Sequence, residues 1–231
     1  MECFEKIENY EELILPIYFH KLIEDITIEE IHNFNYYLCS FEEAKKLISQ
    51  LENIPEMPIE IICKYWAKIY TLEKGKFYAV LNHGLREKKF KLFLPFVKMM
   101  YEGVKKKVFT SIKDEVLYSG GLISKKELQE LRNNLNNINN NDLPKIIYYF
   151  KSFKSFSKSR QIAESFMKNL TEDTTFVFFV VDKNNIEEEF ISNAYIKEFS
   201  KFEYEDEVLF FPFSSFEVDK LRTKMIMLLL I

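Results

Sequence analysis

The chain has 231 residues, 47% of them hydrophobic, and carries 32 Lys and Arg against 36 Asp and Glu for a net charge of −4. That length can bury one large core, and the slightly acidic balance argues against a protein that tracks a phosphate backbone, so no nucleic-acid partner is expected. Cys3, Cys39 and Cys63 are odd in number and lack paired spacing, which argues against a disulfide framework or a zinc site, and no metal is expected. The stretch Met1 to Lys6 has no basic segment followed by an apolar run, so it does not read as a secretory signal. The expected setting is the cytoplasm, or a host cell entered by an effector secreted without a signal peptide.

Residues 1–113 read as helical. Thr27 with Glu30, Ser40 with Glu43 and Ser124 with Glu127 each have the hydroxyl-x-x-carboxylate spacing of a capping box, in which the two side chains satisfy reciprocal orphan amides at a helix start. Pro55 and Pro58 interrupt the chain before a helix carrying Ile61, Ile62, Tyr65, Trp66 and Ile69 at helical spacing, all expected in the core. Phe77, Val80, Leu81 and Leu85, then Leu92, Phe96, Met99 and Met100, continue that period.

Residues 114–231 read as strand-rich. Val116 to Tyr118 is a short strand expected to end at Ser119-Gly120-Gly121, where paired glycines permit a turn or the close approach of a ligand. A helix from Lys125 to about Leu135 follows, and the tract Asn133 to Asn141 reads as a low-complexity loop. Ile146 to Phe156 reads as one or two strands, and Lys158 to Lys168 as a helix with Ile162, Ala163 and Phe166 turned inward. The near-continuous apolar run Thr175 to Val181 has the length of a strand buried on both faces. Ile191 to Tyr195, Glu207 to Phe211, Ser215 to Val218 and Met225 to Ile231 supply further strands. The last is too short to span a bilayer, and no membrane partner is expected. The whole is an α+β fold, read as one domain over 1–231 with a helical lobe at 1–113 and a strand-rich core at 114–231.

Glu203-Tyr204-Glu205-Asp206-Glu207 leads three carboxylates at alternate positions into an apolar strand, so Glu205 and Glu207 are expected on one face, about 6.7 Å apart along the backbone. Like charges that close resist simultaneous ionisation, and such a pair suits either a charged strand edge or the stabilisation of a cation-like transition state. His20, His32 and His83 are scattered and lack acidic partner motifs. With five glycines in all, no phosphate-cradling glycine loop is present.

Tyr118-Ser119-Gly120, Lys154-Ser155-Phe156-Ser157 and Glu205-Asp206-Glu207-Val208-Leu209, in that order at strand ends, resemble the arginine-type mono-ADP-ribosyltransferases. The likeness runs from about Tyr70 to the C-terminus and includes the helical segment Phe77 to Arg86. The resemblance implies a two-sheet core with NAD as substrate in the cleft, a protein acceptor as partner, and no metal. It implies that Glu207 holds the nicotinamide-ribose 2′-hydroxyl and stabilises the oxocarbenium-like centre, and that Glu205 orients an acceptor, a Glu there suggesting a guanidinium. Ser155 would fix the Glu207 carboxylate, Tyr118, Ser119, Gly120 and Ser157 would contribute to NAD binding, and Tyr204 would face the acceptor protein.

One motif residue differs. The family carries an arginine where this chain has Ser119, which has neither its charge nor its fork geometry. Lys125, Lys154, Lys158 and Arg160 are candidates to supply that charge. Two other readings stay open on this ground: a binding protein that keeps the fold without the reaction, and an NAD glycohydrolase in which water replaces the acceptor.

Overall fold

The computed structural model describes residues 4–6, 21–51, 57–112, 115–141, 147–167, 171–181, 193–222 and 227–230. Among the described residues, α1 (Ile28–Leu38), α2 (Glu42–Ile48), α3 (Ile59–Tyr70), α4 (Phe77–Arg86) and α5 (Phe90–Lys105) follow a helical stretch at 21–24. Nine strands include β1 (Phe4–Lys6) before them and β2 (Leu117–Ser124), β3 (Ile147–Phe150), β4 (Lys154–Ser157), β5 (Thr174–Val181), β6 (Asn193–Tyr195), β7 (Glu207–Phe210), β8 (Ser215–Arg222) and β9 (Met227–Leu230) after them. Helices α6 (Lys125–Asn141) and α7 (Arg160–Ser165) lie between strands.

Two of the three capping boxes form. Thr27 and Glu30 exchange both bonds at the start of α1, and Ser124 and Glu127 do the same at α6, with Glu127 Oε2 2.6 Å from the Ser124 amide. Ser40 instead donates to the Tyr37 carbonyl at 2.7 Å, and α2 starts from Phe41 without a side-chain cap. The hydroxyl is spent on the end of the preceding helix, one residue too early for the box.

The helical region packs round Trp66, whose indole stacks on Phe96 at 5.6 Å and donates to Asn35 Oδ1 at 2.9 Å. Ile62 and Ile69 are buried as the periodicity requires, whereas Ile61, Val80 and Leu92 are exposed on the outer faces of their helices and Tyr65 is half-buried. Phe153 joins this core to the sheets, with its ring 5.7 Å from Tyr70, 5.8 Å from Phe96 and 5.9 Å from Phe211. Burying one such ring contributes roughly 1.5–3 kcal/mol, and here it also fixes where β4 begins.

The strand order is β1-β3-β8-β9-β5-β2-β4-β7-β6. It forms two sheets, β1-β3-β8 and β9-β5-β2-β4-β7-β6, joined because β8 pairs with β3 along its first half and with β9 from Val218 onward, across a register shift between Val218 and Lys220. Tyr148, Phe150, Phe216 and Val218 of one sheet share a buried cluster with Leu117, Phe156, Val177, Phe179, Val208 and Phe210 of the other. β5 is central and buried from Val177 onward, as its unbroken apolar run predicts.

Three local expectations fail. β2 runs straight through Ser119-Gly120-Gly121 to Ser124 without a turn, because Gly120 serves a close approach by α7: a Cβ there would lie 2.1 Å from the Ala163 carbonyl oxygen. The asparagine tract is helical to Asn141, an extension of α6. Phe166 follows α7 and is 52% exposed, whereas Ala163 is buried. The expected strand residues Ile146, Ile191, Ser192, Met225, Ile226 and Ile231, with Pro55 and Cys3, lie outside the described residues.

Candidate functional site

Side chains from both halves enclose a cavity of about 410 Å³, within the range typical of small-molecule sites. The strand side supplies Tyr118, Ser119, Gly120, Lys154, Ser155, Ser157, Glu205 and Glu207, and the helical side supplies Tyr70, Glu73, Tyr78, Asn82 and Arg86. Seven of the eight residues singled out from the sequence are thereby brought together. The eighth, Tyr204, stands outside the wall at 68% exposure, with its ring 5.9 Å from Phe202, which does line the cavity.

Glu207 opens β7. Antiparallel pairing sets Ser157 opposite Glu207 and Ser155 opposite Leu209, so Ser155 lies diagonally across from Glu207 and on the same face. Its hydroxyl donates to Glu207 Oε1 at 2.6 Å. Glu207 is 7% exposed as a residue, and burial pushes its carboxyl pKa up to about 7 against the opposing effect of the Ser155 bond. Behind Ser155, the buried Tyr70 hydroxyl is hydrogen-bonded to the serine side chain and accepts from Asn82 Nδ2 at 3.3 Å. Burial first, then the Glu207 charge, raises the Tyr70 phenol far above its ordinary range. Asn82, Tyr70, Ser155 and Glu207 form one hydrogen-bonded chain from α4 to β7.

Glu205 does not share a strand with Glu207, contrary to the alternation of carboxylates. Residues Glu203–Glu205 form a 3-10 turn and Asp206 takes a left-handed conformation at φ 53°, which reverses the chain before β7 starts. The turn is tied on every side. Ser157 Oγ donates to the Glu205 carbonyl at 2.6 Å and accepts the Ser159 amide at 2.9 Å, the Tyr195 hydroxyl donates to Asp206, and Lys197 Nζ lies 2.9 Å from Asp206 Oδ1. The Lys201 amide donates to Thr71 Oγ1 at 2.8 Å, fastening the segment before the turn to the end of α3. Glu205 still reaches the cavity, half-buried, and burial and then the charge of Glu73 raise its pKa. Glu203 is exposed.

The helical wall was not singled out from the sequence, although a signal exists. Tyr78, Asn82 and Arg86 recur every fourth residue on α4, a polar stripe beside the buried Phe77, Leu81 and Leu85, and all three reach the cavity. Arg86 Nη1 donates to Ser152 Oγ at 3.2 Å. Asn82 Oδ1 is buried and accepts no hydrogen bond among the described residues. Those residues also contain no group of three or more His, Cys, Asp or Glu able to hold a metal ion, and no helix long and apolar enough to cross a membrane.

No protein-family model matches the chain, and no curated protein matches it in sequence. Solved structures do match in shape. The ADP-ribosyltransferase HopU1 of Pseudomonas syringae pv. Tomato DC3000 superposes at a TM-score of 0.54 and 14% identity, over 89% of this chain and 97% of that one. The type III effector XopAI of Xanthomonas axonopodis pv. citri gives 0.55 at 15% identity, over 96% and 100%. Exoenzyme S of Pseudomonas aeruginosa, solved with human 14-3-3 protein beta and bound to carba-NAD, gives 0.52 at 14% identity, over 87% and 87%. The chain therefore has the ADP-ribosyltransferase fold.

Proposed function

We propose that the protein, a single functional unit, is a mono-ADP-ribosyltransferase that cleaves NAD and transfers ADP-ribose to a protein side chain, arginine by preference. The observation that carries this reading is the Ser155–Glu207 pair at 2.6 Å, buried in a cavity that Glu205 also reaches.

The bond between nicotinamide N1 and ribose C1′ breaks and nicotinamide leaves with the electron pair. The ionised Glu207 carboxylate stabilises the positive charge that develops at C1′ and accepts the ribose 2′-hydroxyl, while Ser155 keeps its other oxygen in place. An acceptor guanidinium nitrogen then forms the new bond to C1′ and loses its proton to Glu205. Glu73 and Glu205 set two negative charges near the mouth, and a cationic acceptor relieves their repulsion. Arg86 is placed to pair with the substrate's phosphates from the helical wall, Asn82 Oδ1 to accept a ribose hydroxyl, and Tyr204 to touch the acceptor protein. HopU1 and XopAI, named as a transferase and an effector, support a role in a host cell, and carba-NAD in exoenzyme S supports NAD as the substrate.

The test is incubation of purified protein with labelled NAD and a cell lysate, beside Glu207→Gln, following protein labelling and nicotinamide release. Labelling that disappears in the variant is expected. Release without labelling would make the protein an NAD glycohydrolase. Neither signal, with no NAD-dependent thermal shift, would leave the binding-protein reading.

A further inference from the structure

Resting on the transferase reading, we propose that Tyr70 and Asn82 are positioning residues. With Ser155 they form a one-way hydrogen-bond relay that holds Glu207 Oε1 as an acceptor, the state in which this carboxylate can meet a developing cation. Asn82 Nδ2 lies 3.3 Å from the Tyr70 hydroxyl, and the Ser155 hydroxyl 2.6 Å from Glu207 Oε1. Hydrogen counting fixes the direction. An ionised carboxylate only accepts, so the single Ser155 hydrogen goes to Glu207 and the serine oxygen is left to accept from Tyr70. The single Tyr70 hydrogen is spent there, and its oxygen takes an Asn82 amide hydrogen. Turning the Asn82 amide end for end would draw the Tyr70 hydrogen to Oδ1 and leave two hydroxyl oxygens in contact with no hydrogen between them.

The row cannot run backwards, because an amide nitrogen has no lone pair to accept with. A proton on Glu207 Oε1 would need that reversal, so the relay disfavours it. Burial and the like charge of Glu205 both work against the ionised Glu207, and the Ser155 bond works for it. Ser155 is itself exposed to the cavity, where water competes for its hydrogen, so a donor behind it decides which way the hydroxyl points. Tyr70 is fixed for that task. It is buried, with its ring stacked on Phe96 at 6.0 Å and edge-on to Phe153 at 5.7 Å, just before β4. The other titratable groups lining the cavity are Glu73 beyond α3, Tyr78 and Arg86 on α4, Tyr118 on β2, Lys154 on β4 and Glu205 in the turn, and Tyr70→Phe leaves all of them in place.

The experiment titrates the Glu207 carboxyl carbon by NMR in ligand-free protein carrying isotope-labelled glutamate, the signal being assigned by its loss in Glu207→Gln. Wild type, Tyr70→Phe, Asn82→Ala and Ser155→Ala are compared, with the first two substitutions also made on the Ser155→Ala background, and nicotinamide release from NAD is followed over the same pH range. Tyr70→Phe should raise the midpoint by about half a unit to one unit, the worth of one hydrogen bond, and move the acid limb of nicotinamide release with it. Asn82→Ala should shift it the same way by less, and neither should add to the shift of Ser155→Ala. A wild-type midpoint in folded Tyr70→Phe, or a shift that persists on the Ser155→Ala background, would overturn the relay and leave the transferase reading standing. Should Tyr70→Phe fail to fold, Asn82→Ala decides by the same two outcomes. A wild type that shows the expected titrations and releases no nicotinamide would overturn the transferase reading and leave the relay standing.

Discussion

Glu207 opens strand β7 with its carboxylate buried against Ser155, whereas Glu205, two residues earlier, ends a 3-10 turn with its side chain half-buried at the cavity mouth. The residue between them, Asp206, makes the difference through its left-handed backbone. On a continuous strand the two carboxylates would share one environment. The reversal gives one an enclosed position suited to a developing cation and the other a mouth position suited to an incoming partner. The burial that raises Glu207 to about 7 acts on Glu205 with the added charge of Glu73.

The comparison breaks most completely at Glu207. Glu207→Gln keeps the shape and removes the charge, and nicotinamide release should fall by roughly 10²–10³, the usual loss when one stabilising group of a transition state is removed; labelled NAD measures it. The pH dependence sharpens the same contrast. Below pH 4.5 the Glu207 carboxyl is protonated in folded and unfolded chains alike, and between 4.5 and about 7 only the unfolded chain ionises, so folded stability falls by about 3 kcal/mol and then levels off. Thermal melts from pH 4 to 8 should show this fall in the wild type and lack it in Glu207→Gln, while wild-type activity rises through pH 7 as the carboxylate forms.

Glu205→Gln should separate the two roles. Protein labelling should drop about tenfold while nicotinamide release persists, because a general base contributes roughly 10²–10⁴ and part of that remains with an already polarised acceptor. An equal fall in both rates would remove the division of labour. The smallest effect belongs to the fastening of the turn: Tyr195→Phe deletes one bond to Asp206, should cost about 1 kcal/mol in a denaturant melt, and should reduce labelling more than release.

The gathering of residues at the cavity was legible where it depended on motif order and strand pairing. Ser155 and Glu207 lie 52 residues apart and still meet. The turn at 203–206 was not legible, because alternate glutamates mimic strand periodicity and the left-handed residue is an aspartate, a type that tolerates that backbone without advertising it. The paired glycines suggested a turn, since sequence alone does not distinguish conformational freedom from the need for an absent Cβ. The helical wall stayed hidden because Tyr70, Asn82 and Arg86 sit among strong core residues, and only the fold reveals which side of α4 faces the strands. The nine-strand order had no local signature, as it depends on long-range pairing such as β5 beside β9.

On the proposed function, the buried Glu207 also couples NAD binding to proton release. With its pKa raised to about 7 by burial, the carboxyl is expected to be partly protonated in the free protein near neutral pH, and a cationic nicotinamide ring beside it would favour loss of that proton. Calorimetric binding enthalpies should then differ between buffers of unequal ionisation heat, and the affinity for NAD should strengthen with alkalinity until the carboxyl is fully discharged. Glu207→Gln should lose both dependences.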